Sequence, residues 1–328
     1  MTESLSKDFC VADIAAAYAR IRPYVVRTPL LESEALNRLV GGRVLAKAET
    51  LQKTGSFKFR GACNRALQMT DEQRRVGVVA FSSGNHALAT SAVCARFGMP
   101  ATIIMPSDAP RAKIEGARSF GATVRLYDRR TDDREAIGRD IAVRTGAITV
   151  PPYDDPYIMA GQGTVGLEIV EQTKEIGAVP NYVLAAASGG GLIAGVATAI
   201  SAHYEDTLLY AVEPSGFDDH ARSLAEGKQV SNVAGAQSIC DSLQVVSPGK
   251  LTFPVNKKLL AGSLVVSDDE VRHAMRVAFD TLKLVVEPGG AAPLAAVLSG
   301  KVDVAGKTVA LVLSGGNVDA DVFQSALV

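Results

Sequence analysis

The chain has 328 residues, of which 47% are hydrophobic, and its 34 Lys/Arg against 35 Asp/Glu leave a net charge of −1. A balanced, unclustered charge gives no footprint for nucleic acid or an anionic membrane, and no apolar run reaches the roughly 18 residues of a membrane span. The segment Met1 to Asp8 lacks the basic and apolar regions of a signal peptide, and Cys10, Cys63, Cys94 and Cys240 have neither zinc spacing nor disulfide density, so a cytoplasmic protein with free thiols is expected.

In chain order, the first informative segment is Thr54-Gly55-Ser56-Phe57-Lys58-Phe59-Arg60-Gly61-Ala62, which sets one lysine between two aromatic rings among small residues. Desolvation disfavours an ammonium group, so a buried Lys58 becomes a free amine able to condense with an aldehyde. The plain alternative is a surface lysine opening an amphipathic helix. An apolar strand over Gly77 to Phe81 then runs through Ser82-Ser83-Gly84-Asn85-His86 into a small-residue helix from Ala87 to Phe97. A polar turn at a helix N-terminus offers N–H groups and hydroxyls to an anion. Strands follow over Ala101 to Met105, Thr123 to Tyr127 and Tyr182 to Ala187, the last entering Ser188-Gly189-Gly190-Gly191-Leu192 and a helix from Ile193 to Ala202. Consecutive glycines let a backbone close around a phosphate, although tight strand–helix turns also use them. Further strands cover Leu208 to Val212 and Thr308 to Leu313, the latter closing on Ser314-Gly315-Gly316-Asn317. Strands alternating with helical stretches predict an α/β fold with parallel sheets.

These four motifs in this order resemble the fold type II (tryptophan synthase beta-like) pyridoxal-phosphate (PLP) enzymes, and within them the serine/threonine dehydratases and serine racemases, possible 3-hydroxyaspartate dehydratases included. The similarity runs from Arg27-Thr28-Pro29-Leu30 to Asn317 and includes Pro151-Pro152-Tyr153, Ala160-Gly161-Gln162-Gly163-Thr164 and Val286-Glu287-Pro288. It implies two lobes, each an open, mainly parallel sheet flanked by helices, with residues 1–71 and 151–328 in a large cofactor-binding domain and 72–150 in a small one. It implies that Lys58 holds the cofactor as an imine and acts as the base at the substrate's Cα. Phe57 packs by the ring, Asn85 meets the phenolic oxygen, and Ser188, Gly189, Gly190, Gly191 and Leu192 cradle the phosphate. Gly235 and Glu287 complete the cofactor site, and Ser314 faces the pyridine nitrogen. A hydroxyl there, in place of a carboxylate, leaves the nitrogen neutral and suits prompt β-elimination.

Ser83 matches the racemase residue on the opposite face of Cα from the lysine; as a local feature it reads equally as a helix cap. Ser82, Asn85, His86 and Ser238 fall in the substrate region, with His86 read mainly as a framing residue. Arg134 coincides with an arginine that meets a distal substrate carboxylate, with Arg129 and Arg130 as neighbours; otherwise it is a solvated helix residue pairing with Asp133 or Glu135. Glu213, Asp219 and the carbonyl of Phe217 match a structural Mg²⁺ or Ca²⁺ site, hard ions suited to oxygen ligands. Where relatives carry Asp-Gly, the chain is read as Ala234-Gly235-Ala236, with the aspartate lost. The implied protein is a homodimeric ammonia-lyase that removes water from serine, threonine or 3-hydroxyaspartate. A racemase, a β-replacement synthase and a non-catalytic PLP carrier are the alternatives.

Overall fold

The computed structural model describes residues 9–82, 84–109, 111–128 and 130–328, and of Ala112 only the backbone. Ten strands in this range form two sheets. They are β1 (Leu30–Glu32), β2 (Arg43–Ala48), β3 (Val78–Phe81), β4 (Ala101–Pro106), β5 (Thr123–Tyr127), β6 (Ile148–Thr149), β7 (Tyr182–Ala186), β8 (Leu208–Pro214), β9 (Gly262–Val266) and β10 (Thr308–Leu313). The larger sheet has the order β1-β2-β10-β7-β8-β9 and the smaller β5-β4-β3-β6. Every pairing is parallel except β1 with β2, where Leu31 faces Ala46.

Parallel strands covered on both faces read as nearly continuous apolar runs, because each side chain is buried whichever way it points. The larger sheet shows this. Val44, Ala46, Leu184, Val212 and Leu311 pack towards the helices Asp268–Leu282 and Pro288–Leu298. Leu45, Val183, Ala185, Ala310 and Val312 pack towards Pro156–Glu175 and Gly191–Ser201. Those last two helices approach so closely that a Cβ on Gly195 would lie 2.6 Å from the Gly163 nitrogen. In the smaller sheet Val78, Ala80, Ile103 and Met105 face a core shared with the helices Lys58–Leu67 and Asn85–Arg96, while Val79 and Ile104 face the helix Arg134–Thr145. All six strands expected from the sequence are present. The additional ones are β1, β2, β6 and β9.

The strand β2 carries Lys47 with no exposed surface, as part of a network that binds three segments together. The Arg60 guanidinium donates to both Glu49 oxygens and both Glu168 oxygens, each at 2.8 Å. Lys47 Nζ donates to Glu168 Oε2 at 2.7 Å, Gln172 Oε1 at 2.8 Å and the Thr28 carbonyl at 2.6 Å. Burial alone raises the Glu49 carboxyl, but Arg60 outweighs it and the net shift is downward. Breaking one partner of such a buried network leaves an uncompensated charge, so Glu168→Ala should lose about 3–5 kcal/mol in urea unfolding at neutral pH. Because the folded Glu49 value is depressed, its stabilisation is complete above the unfolded value of 4.5 and falls away as pH drops through the folded value. Urea midpoints across pH 7 to 3 check this, and a flat wild-type profile would refute it.

Candidate active site

The cleft is built from loops at the carboxyl ends of the parallel strands. The backbone turns through Thr54 (φ +60°) and Gly55 (φ +70°), then pairs with the end of β10, with Ser56 bridged to Gly315 and the Phe57 N–H donating to the Ser314 carbonyl at 3.1 Å. That pairing starts the helix Lys58–Leu67 with Lys58 pointing into a cavity of about 660 Å³. Lys58 Nζ donates to the Pro152 carbonyl at 2.7 Å and lies 5.1 Å from the Phe57 ring centre. Burial pushes its amine down to about 8, with Glu287 pulling weakly the other way. An amine so placed is largely free at mildly alkaline pH, as the aromatic and small neighbours of Lys58 in the sequence suggest.

Asn85 opens the helix Asn85–Arg96, and its Nδ2 donates to Glu287 Oε1 at 2.6 Å. Glu287 is buried, and burial together with the nearby Asp241 pushes its carboxyl up to about 8. His86 Nε2 meets the Val150 carbonyl at 3.0 Å, and burial followed by Lys58 pushes its imidazole down to about 3. A neutral imidazole bonded to backbone frames the loop and carries no charge to the cleft. Ser82 lines the cavity and its Oγ accepts from the Gly84 N–H at 3.1 Å. Ser83 lies outside the described residues, as does Arg129.

Opposite Lys58, the loop after β7 leads into the helix Gly191–Ser201. Ser188, Gly189, Gly190, Gly191 and Leu192 all line the cavity, beside Ser314 at the end of β10. Gly190 has φ +87°, and a Cβ there would lie 2.5 Å from Asn256 Nδ2 and 2.6 Å from His220 Nε2. The loop is held from behind. Thr252 Oγ1 and the Gly249 N–H donate to the Gly189 carbonyl at 2.5 and 3.1 Å. With its carbonyls held and no Cβ in the way, the loop leaves backbone N–H groups of a helix N-terminus for a phosphate. A phosphate cradle and a free amine lining one cavity, with Ser314 between the strand ends, fit PLP.

At the mouth, the Arg134 guanidinium lies 5.5 Å from the Phe81 ring centre, exposed at the start of the helix Arg134–Thr145. No ion pair within 4 Å joins Arg134 to Asp133 or Glu135; both acids face Arg139 at 3.6 and 3.8 Å, with Arg134 a further, weaker influence on Asp133. Two expected residues are not at the cavity. Gly235 is a left-handed turn residue (φ +88°), and Ser238 Oγ donates to Asp268 Oδ1 at 2.6 Å beyond the cavity wall. The acid read as lost from 234–236 is supplied five residues further on, because Asp241 lines the cavity and accepts from Lys113 Nζ at 2.6 Å. Neither Asp241 nor Lys113 was anticipated, since neither lies in a glycine motif.

Glu213 ends β8 and caps the next helix, accepting from the His220 N–H at 2.7 Å, the Ala221 N–H at 2.9 Å and Ser263 Oγ at 2.6 Å. Glu213, Asp219 and His220 can bring one ligand atom each within 4.8 Å of one another. Asp219 Oδ2 is buried without a hydrogen-bond partner, and burial plus Glu213 push the carboxyl up to about 6. A buried acid left short of a partner fits a cation. Phe217 sits in the turn between the two carboxylates, its N–H donating to the Pro214 carbonyl at 3.0 Å. His220, absent from the expected ligand set, is the neighbour that sequence proximity to Asp219 could have flagged.

The family model of the pyridoxal-phosphate dependent enzymes matches residues 21–315. An L-threo-3-hydroxyaspartate ammonia-lyase from a Pseudomonas species is 42% identical over 96% of this chain and 97% of its own. Among solved structures, a threonine deaminase from T.th. has a TM-score of 0.89 and 44% identity, covering 94% of this chain and 99% of its own. Maize serine racemase has a TM-score of 0.90 and 37% identity, covering 97% and 96%. With Lys58, the glycine cradle and Ser314 around one cavity, and with relatives this similar over nearly their whole length, the chain belongs to the pyridoxal-phosphate dependent enzymes, among its ammonia-lyases and serine racemases.

Proposed function

We propose that this protein is a PLP-dependent ammonia-lyase that removes water from a β-hydroxy amino acid, with 3-hydroxyaspartate as the preferred substrate. The observation that carries the choice of substrate is Arg134, a cationic fork at the mouth of a cleft whose base, Lys58, is lowered by burial to about 8. When bound, the cofactor supplies an electron sink for the pair left at Cα. The 188–192 loop would hold its phosphate, Ser314 would serve its pyridine nitrogen and Asn85 its phenolic oxygen. Lys58 would hold the cofactor and, once released from it, would take the proton from Cα. The Cβ–O bond would then break, the hydroxyl taking up a proton from Lys58 to leave as water, and the released enamine would tautomerise to an imine that a water molecule hydrolyses to a 2-oxo acid and ammonia. The resemblance gives Ser83 the role of second acid/base group, and with it some racemisation would accompany elimination.

The units are a small domain over 72–150 and a large one over 1–71 and 151–328, with Arg134 of the small domain at the cavity to receive the distal carboxylate. Glu213 and Asp219, with the Phe217 carbonyl, hold a structural Mg²⁺ or Ca²⁺. A cytoplasmic homodimer, as the resemblance implies, belongs to the same proposal.

Lys58→Ala should abolish both the visible cofactor band and ammonia release. For wild-type apoprotein, the initial rate at which the band appears after adding PLP should rise with pH and be half-maximal near 8, since the protonated amine cannot attack. A midpoint above 10 would assign an ordinary exposed lysine.

Arg134→Ala should reduce kcat/KM for 3-hydroxyaspartate by about 2–4 kcal/mol, the scale of losing a charge-assisted pair in a partly closed site. Serine and threonine lack the distal carboxylate and should be nearly unaffected. A uniform loss on all three substrates, or a wild type inactive on every 3-hydroxyaspartate isomer, would return serine or threonine to first place.

A chelator should lower the melting temperature, and Mg²⁺ or Ca²⁺ should restore it, because an ion bound only by the folded state stabilises it by mass action. The response should vanish in Glu213→Gln. A melting curve indifferent to chelator in the wild type would leave the acidic pair without an ion.

A further inference from the structure

Asn317 closes the fourth glycine motif and plays no part in the chemistry described so far. Its Nδ2 donates twice, to the Thr54 carbonyl and to Asn85 Oδ1, both at 2.7 Å. Both partners are unusual. Thr54 holds φ +60°, a left-handed conformation rare outside glycine, at the turn that delivers Lys58. Asn85 is buried, and the acceptor of its amide is occupied by Asn317 while one donor hydrogen is occupied by Glu287 at 2.6 Å.

A primary amide has one oxygen and two N–H hydrogens. With one hydrogen given to Glu287 and the oxygen turned to Asn317, the only donor Asn85 has left to offer the cavity is the second Nδ2–H. Without Asn317, the bond to Glu287 alone would orient the amide, and an amide that rotated would present its oxygen and repel a phenolic oxygen. The space around this arrangement is tight. A Cβ on Gly55 would lie 2.5 Å from Asn317 Oδ1, and one on Gly315 would lie 2.5 Å from Glu287 Oε1 and 3.1 Å from Asn85 Nδ2. The two glycines therefore keep the Asn317–Asn85–Glu287 chain unobstructed.

We infer that Asn317 is a positioning residue that fixes the Asn85 amide with its donor towards the cofactor's phenolic oxygen and ties that amide to the Thr54 turn carrying Lys58. The inference rests on the PLP reading above. It distinguishes Asn317 from a residue that merely closes the last strand, because its effect passes through Asn85 and is read in the electronic properties of the cofactor.

The test compares holoenzyme forms of wild type, Asn317→Ala, Asn317→Asp, Asn85→Ala and the double variant Asn85→Ala/Asn317→Ala. Asn317→Asp keeps the volume but replaces the donor that meets Asn85 Oδ1 with a carboxylate oxygen, so it carries the test if the Ala variant does not fold. The readouts are the pH titration of the visible band, cofactor retention on dialysis, and kcat and KM for ammonia release. The expected result is a titration midpoint moved by about half a pH unit or more, weaker cofactor retention, and a kcat reduced about tenfold with KM little changed. Removing Asn317 from the Asn85→Ala background should add almost nothing to the shift of the band's midpoint, because that effect passes through Asn85. The inference is overturned if the band and its midpoint are unchanged while only melting temperature falls, or if the two substitutions act additively. A wild-type protein with no visible band would instead overturn the cofactor reading itself.

Discussion

The position of Lys58 depends on an arginine two residues further along the same helix. Arg60 is buried between Glu49 and Glu168, so the first turn of the helix Lys58–Leu67 cannot slide or rotate without stripping a guanidinium of its carboxylates in a medium that offers no water. The same acids reach Thr28 and Lys47, on the segment leading into β1 and on β2. Glu168 sits mid-way along the helix Pro156–Glu175, which packs on the glycine-opened helix Gly191–Ser201. One ionic cluster therefore registers the lysine against the phosphate loop. Apolar packing alone would tolerate small displacements; a bidentate guanidinium contact on each side does not.

Within the cleft, burial acts on several titratable groups and drives each towards its neutral form. It lowers the Lys58 amine and the His86 imidazole and raises the Glu287 carboxyl. At neutral pH His86 and Glu287 are then uncharged, and Lys58, lowered to about 8, gives up its proton more readily than an exposed lysine. Full charges stand at the rim, where Lys113 pairs with Asp241 and Arg134 lies over Phe81. That division suits a substrate whose reacting carbon must enter an apolar interior while its carboxylates remain near cations. The phosphate loop shares this logic. It is steadied by Thr252 and Asn256, and Asn256 lies 3.2 Å from His220 beside the Glu213/Asp219 cluster, so the acidic cluster and the cradle are packed against the same side chains.

The parts of the fold legible in the sequence are those whose burial is symmetrical. Strands such as β7 and β10 are buried on both faces and announce themselves as apolar runs. The strand β2 hides because Arg43 and Lys47 interrupt its run, and Lys47 is tolerable only because Glu168, Gln172 and Thr28 arrive from distant positions. β1 and β6, with three and two residues, are too short to carry a period. The cleft was legible for a related reason. Glycines that a backbone requires, and a lysine between aromatics, are local signals, and Lys58, Asn85, Ser188 to Leu192, Glu287 and Ser314 meet around one cavity.

What the sequence could not convey were partnerships across long separations. Asp241 replaces the acid read as missing from 234–236 only because the 239–243 segment turns it back towards Lys113. Ser238, three residues away, is turned outward to Asp268 by the same geometry. Asn317 shows the principle most clearly. As a sequence element it ends a glycine motif, and nothing nearby distinguishes it from a strand terminator. Its role depends on an amide 232 residues earlier and a carbonyl 263 residues earlier being brought within hydrogen-bonding distance of a single nitrogen. Local chemistry indicates which residues can act, whereas the orientation each one adopts is set by hydrogen-bond partners that only the folded chain supplies.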